Sequence, residues 1–295
     1  MRYSIPSDTR AARVPKRPNN LEDQMAGSVQ YARIFELRDT GRTDEAIHYA
    51  EELLTGASNP DDIGALLTCI VSLNMDLGRL VKARCALQRL KGLEIPDVEV
   101  RLNSEFMEPC LLDQEGRTEE GLIALVAMLD REGRFIHDDR FRYLYQHIQR
   151  RRAWALFELS RFAEALPIVR ESMSYAFEEV SDEQRMRWAL GLCLEETGDS
   201  GRAVDEYFRV IGFNLRNEFE EQARCRLATL LVGTRAFAQA RKQLEFVLEE
   251  FSDRAPVVAR SFVYGQLSIV CRCLGDQANS ERYRQLANTA EAENG

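Results

Sequence analysis

Along the chain, apolar positions recur three and four residues apart in short runs, and each run is followed by a second after a brief polar break. The run LATLLVG, residues 227–233, precedes FAQARKQLEFVL, residues 237–248, with Thr234, Arg235 and Ala236 between them. A period near 3.6 residues places the apolar side chains of a run on one helix face, so each such pair predicts two amphipathic helices joined by a tight turn. Aligning the turn residue with the small residue five places later gives Gly41/Ala46, Gly78/Ala83, Gly116/Gly121, Ser160/Ala165, Gly198/Ala203, Arg235/Ala240 and Gly275/Ser280. These seven copies follow one another at 37, 38, 44, 38, 37 and 40 residues. A recurrence of that length marks a stacked helical array, not a single globular core.

Both aligned positions have a physical reason. Glycine ends the first helix because it takes a left-handed backbone without Cβ strain. The small residue sits where the two helices cross, since antiparallel helices approach to about 8–10 Å only where bulk is absent.

The copies resemble tetratricopeptide repeats, whose pattern runs bulky, Leu, small and aromatic, then Gly, Ala and a second aromatic. The matches that carry the resemblance are Tyr264, Leu267, Ser268, Cys271, Gly275 and Asp276 in one copy, and Leu190, Gly191, Leu194, Gly198, Asp199, Ala203 and Tyr207 in another. The copy over 152–169 keeps Ala153, Leu156, Phe162, Ala165 and Val169 but has Arg152 where Leu is usual. The resemblance spans residues 27–290. It implies an all-α fold, a right-handed α-solenoid of about seven helix–turn–helix repeats with a concave groove lined by first helices.

Departures from the pattern shape further expectations. The family period is about 34 residues, and every spacing here is longer. Pro109 falls in the first helix of the third copy and is expected to kink or shorten it. The 44-residue step around 131–152 predicts about two added turns ahead of the fourth copy and a seam, with three repeats over 21–133 and four over 134–295. The polar end, ERYRQLANTAEAENG, suits a capping helix. Residues 1–20, rich in Pro and Arg, are expected to form a mobile basic tail.

Charge narrows the classes of partner. The net charge is −9, and because residues 1–20 carry +4, the rest of the chain carries −13. An acidic body disfavours general nucleic-acid binding, which needs clustered Lys and Arg. The start of the chain has no apolar signal core and no long apolar run follows, so no membrane association is expected and a cytoplasmic location is. The seven cysteines, at 69, 85, 110, 193, 225, 271 and 273, form no CxxC pair and read as reduced, buried thiols.

No catalytic motif is present: there is no phosphate-binding glycine loop, HExxH, paired CxxC or GxSxG. His48, His137 and His147 lie in different contexts, and Asp138 and Asp139 beside His137 read as a helix cap rather than a metal corner. Glu195-Glu196 and Glu249-Glu250 read as solvated helix faces. Neither enzyme activity, cofactor nor metal is expected.

The resemblance implies groove-facing positions 13, 10, 6 and 3 residues before each turn. In the fourth copy these are His147, Arg150, Trp154 and Phe157, with Tyr143 one turn further back; in the fifth they are Arg185, Trp188, Leu192 and Glu195. Phe106 holds such a position in the third copy. Trp, Tyr and Arg dominate binding hot spots, so this set would take a peptide or protein segment bearing a carboxylate and an apolar side chain. Two readings stand side by side: the tryptophans line the groove, or they fill the interface between two helices. Arg140, Arg142, Arg151 and Arg152 form a solvated basic face on the simplest reading, yet the register puts Arg152 in the core, so either it snorkels or the register slips.

The Lys and Asn clamp with which some family members hold a partner's C-terminal carboxylate is not recognisable, since Tyr31, Phe35, Cys69, Phe106 and Cys110 occupy its positions. The expected function is a non-enzymatic scaffold binding a peptide or protein in its groove. The alternatives are a sensory arm controlling a separate effector chain, and end-to-end self-assembly.

Overall fold

The computed structural model describes residues 29–136, 138–175, 177, 179–251 and 256–294; the tail expected over 1–20 and His137 lie outside the described residues. The chain divides into two compact units, residues up to Ile168 and residues from Val169. Among the described residues the secondary structure is helical, without strands.

The first unit holds α1 (Val29–Asp39), α2 (Thr43–Gly56), α3 (Pro60–Asp76), α4 (Leu80–Lys91), α5 (Val98–Gln114), α6 (Thr118–Ile136), a 3-10 turn (Asp139–Phe141), α7 (Arg142–Glu158) and the start of α8 (Phe162–Ser172), within which the boundary falls. The second holds α9 (Val180–Glu196), α10 (Ser200–Gly212), α11 (Glu218–Gly233), α12 (Phe237–Glu250), α13 (Arg260–Cys273) and α14 (Gln277–Asn294). Each aligned copy is one helix pair. In the first unit α3 packs on α2, and α5 on both α3 and α4. In the second, α11 packs on α9 and α10, and α13 on α11 and α12. A first helix wedged against both helices of the preceding pair lets apolar faces that no single pair could cover be buried by stacking.

The turns behave alike in all seven copies. Gly41, Gly78, Gly116, Ser160, Gly198, Arg235 and Gly275 all have φ between 57° and 90°. Each is followed by a residue whose N–H reaches back five positions, as in Arg79 N to Asn74 O at 2.8 Å, Asp199 N to Leu194 O at 2.8 Å and Asp276 N to Cys271 O at 2.9 Å. This is the Schellman closure, which satisfies carbonyls that the helix end would leave open. Ser160 and Arg235 hold the same geometry without glycine's freedom.

The crossing residues are all buried: Ala46, Ala83, Ala165, Ala203 and Ala240 have no exposed surface, and a Cβ on Gly121 would lie 3.0 Å from the Pro109 carbonyl. In the last pair the crossing is a serine clasp, with Ser268 Oγ donating to Ser280 O and Ser280 Oγ to Ser268 O, both at 2.9 Å.

One length expectation is corrected and another is met. Pro109 does not shorten α5, which runs on through it to 17 residues, because Cys110, Leu111 and Leu112 beyond it are buried and hold the next turn in place. The long step does add length ahead of α7, as expected: α6 has 19 residues and the 3-10 turn follows it, while α7 itself has 17.

Candidate interaction surface

In the first unit, Leu144, Ile148, Ala153 and Leu156 form the buried face of α7. Tyr143, His147, Arg150 and Trp154 follow another stripe of that helix at spacings of four, three and four residues, and all are half-buried. Tyr143 and His147 have ring centroids 4.2 Å apart. Trp154 stacks on Phe157 at 5.9 Å, and Phe157, itself buried, meets the edge of Phe162 at 5.5 Å. Phe106 on α5 is half-buried and packs against both apolar clusters of this unit.

In the second unit, Arg185 on α9 is half-buried and ion-paired to Asp182 at 2.6 Å, one turn back on its own helix. Trp188 is buried and packs its ring at 5.5 Å against Phe219 of α11, filling the seam between the two first helices; Leu192 is buried one turn on. Glu195 and Glu196 are not free in solvent. Glu195 accepts from the Tyr207 hydroxyl at 2.6 Å, and Arg226 pairs with both acids, at 3.0 and 3.5 Å, tying α9 to α11.

The basic run 140–152 is likewise not one solvated face. Arg140 pairs with Asp138 in the open, whereas Arg151 reaches Asp113 of α5 at 3.0 Å with little exposure on either side. Beside that pair, the Thr118 hydroxyl lies 2.9 Å from Glu158 Oε2 and 3.2 Å from Asp113 Oδ1, and with one proton to give it serves only one of them. Burial raises the Glu158 carboxyl above its ordinary range and the Asp113 charge adds to this, against Thr118 and Arg151. Arg152 snorkels. Its neighbours Ala153 and Leu156 remain buried, so the register holds, and Arg152 is only half-buried; the Glu164 carboxyl is held below its ordinary range by the hydrogen bond and charge of Arg161, with a smaller pull from Arg152.

The polar network of the second unit is invisible to a periodicity argument. Glu220 and Glu221, in the first turn of α11, are fully buried. Glu220 Oε1 accepts from Arg224 Nε at 3.1 Å and from its terminal nitrogen at 2.9 Å, and Glu220 Oε2 accepts from the Arg216 backbone N–H at 2.9 Å. Arg224 also donates to Gln243 at 2.6 Å and lies 3.6 Å over the Phe246 ring. The one local signal is Asn217 followed three residues on by Glu220, the spacing of a capping box; Asn217 does accept from Glu220 N, at 3.2 Å. Nothing local says that the acid is buried.

All seven cysteines are free thiols, but Cys85 and Cys273 are exposed, contrary to the expectation that all are buried. Burial pushes the Cys193 and Cys225 thiols up to about 12, which makes them inert. Among the described residues no group of three or more His, Cys, Asp or Glu is placed to hold a metal ion, and no helix is long and apolar enough to cross a membrane.

Comparisons bear on the fold. A family model described as Tetratricopeptide repeat matches residues 150–212. No curated protein sequence matches the chain. Among solved structures, a tetratricopeptide repeat protein from Parabacteroides merdae is similar at TM-score 0.52 and 15% identity, over 92% of this chain and 94% of that one. The C-terminal part of a repeat protein from Cytophaga hutchinsonii gives TM-score 0.58 and 10% identity, over 86% and 92%. The Rap conjugation gene regulator of plasmid pLS20, in complex with a Phr peptide, gives 0.50 and 13%, over 88% and 72%. Among the described residues, seven helix pairs of one turn geometry, the repeat-family match over 150–212 and these neighbours show a tetratricopeptide-repeat-like fold of the all-α solenoid class.

Proposed function

We propose that the chain is a non-enzymatic cytoplasmic scaffold that binds a peptide or protein segment on its first helices. One observation carries the reading. On α7 the core is complete with Leu144, Ile148, Ala153 and Leu156, yet Tyr143, His147, Arg150 and Trp154 stand beside it only half-buried. Aromatic rings and an Arg left outside the core on one stripe are the residue types that carry binding energy in interfaces. Trp154 and Phe157 would supply flat apolar surface to the bound segment, and Arg150 would take a carboxylate in a forked contact. In the second unit Arg185 would exchange Asp182 for an acidic group of the ligand.

The solved neighbour in complex with a Phr peptide supports a peptide as the ligand class and, being described as a gene regulator, keeps a second reading in view, in which the chain controls a separate effector. Affinity capture from native lysate with mass spectrometry tests the proposal. A protein held by the wild type and lost with Trp154→Ala and Arg150→Glu is the expected result. Equal recovery by wild type and both variants would refute the site.

A further inference from the structure

A second surface lies on other helices of the first unit. Leu122, Ile123, Val126 and Ala127 of α6 and Leu156 of α7 wall an open groove of about 410 Å³ that ends at the start of α8. It is not a filled seam: Ile123 is 61% exposed and Ala127 is exposed as well.

The charges along this groove are unevenly matched. At one end Arg161 pairs with Glu119 at 3.2 Å and with Glu164 at 2.7 Å, so these three need nothing further. Arg152 and Asp130 also line the groove, and neither makes an ion pair or side-chain hydrogen bond with any described residue. Arg152 has its Nε shut off from solvent without an acceptor, while its terminal nitrogens are not shut off in this way. A guanidinium partly stripped of water beside an apolar wall favours an incoming carboxylate more than the same group in open solvent would. Asp130 at the far end asks for the opposite charge.

From Leu122 to Asp130 the wall runs eight residues along α6, about 12 Å at 1.5 Å per residue. That length suits two to three turns of a docked helix, whose apolar side chains at i, i+3, i+4 and i+7 match such a wall. We propose that this groove binds an amphipathic helix of a partner protein, with a carboxylate seated on Arg152 and a basic side chain near Asp130. The site is separate from the α7 stripe of Tyr143, His147, Arg150 and Trp154.

The test uses the full chain and a fluorescein-labelled helical peptide with a leucine stripe, glutamates on the flank that meets Arg152 and lysines on the other, beside a peptide with those charges exchanged. Fluorescence anisotropy should show the first peptide binding wild type and losing at least tenfold in affinity with Ile123→Asp or Arg152→Glu. The charge-exchanged peptide should bind Arg152→Glu better than wild type. Ile123 is exposed, so its variant folds as wild type does, which circular dichroism checks. Trp154→Ala should leave this binding unchanged, which separates it from the function proposed above. The inference is overturned if the first peptide does not bind, or if the two groove variants bind it as wild type does. It is also overturned if crosslinks in the full chain place residues 1–28 against α6, or if sedimentation shows a dimer that Ile123→Asp abolishes, since the occupant would then be this chain's own segment or a second copy.

Discussion

Removing the carboxylate of Glu220 should destabilise the second unit out of proportion to one side chain. Its two oxygens accept three hydrogen bonds, two from Arg224 and one from the Arg216 backbone, and it has no exposed surface. Hydrogen bonds to a charged group are worth about 1.5–3 kcal/mol each, so about 4.5–9 kcal/mol is lost in gross terms, less the desolvation that the carboxylate no longer suffers. What remains is an Arg224 guanidinium that is 8% exposed and short of its main counter-charge, and breaking a buried pair in this way costs about 3–5 kcal/mol. Burial already lowers the Arg224 pKa against the pull of Glu220, so the charge is held at some expense even in the intact pair. Glu220→Ala is therefore expected to cost about 3–5 kcal/mol, and Glu220→Ala/Arg224→Met less than the sum of its single variants by about 2 kcal/mol.

A repeat array can unfold in parts, so the probe must be local. The chain has two tryptophans, and Trp188 lies 5.5 Å from Phe219, the residue before Glu220. Urea unfolding followed by Trp188 fluorescence in a Trp154→Phe background reads this region directly. If the two single effects add to within about 0.5 kcal/mol, the pair does not act as a unit and the reasoning fails.

Further outcomes follow from other positions. Ala203→Leu, at a crossing with no exposed surface, should overpack the α9–α10 contact and cost about 1–3 kcal/mol; an unchanged denaturation midpoint would show that the helices do not meet there. Gly191→Ala would place a Cβ 2.8 Å from the Tyr207 ring, which cannot swing away while its hydroxyl is bonded to Glu195, so a loss of about 1–3 kcal/mol is expected in the same assay. Burial raises the Asp76 carboxyl to about 6, against the opposing pull of Arg38. A folded pKa above the unfolded one means that the contribution of this group is intact below about pH 4 and is lost as pH rises through about 6. Asp76→Asn should therefore stabilise the first unit by on the order of 1 kcal/mol at pH 8 and leave it unchanged at pH 4; equal effects at both pH values would contradict the assignment.

Much of the fold was legible because its causes are local. A residue at a helix end either tolerates positive φ or does not, and the small side chain five places later either admits a neighbouring helix or does not, so seven recurrences of that pair fix seven helix hairpins. Even Ser160 and Arg235, which lack glycine's freedom, take the left-handed turn, because their neighbours close the same Schellman bonds. The same logic explains why Arg152 was visible as an anomaly: a charge in an apolar register position must snorkel.

What the sequence by itself determined, then, is the helix pair, its turn and its crossing point, all of which depend on residues within about one repeat of each other. Only the tertiary structure decided which charges and which aromatic rings are buried. Glu220 and Glu249 look alike in a helical pattern, yet one is sealed beneath Arg224 and the other is exposed. Trp154 and Trp188 both fall at expected groove positions of a first helix, six and ten residues before the turn, yet one is half-buried and the other fills a seam against Phe219. Burial is set by what the next pair lays over a face, and that neighbour is some forty residues away, beyond the reach of any periodicity in the run itself.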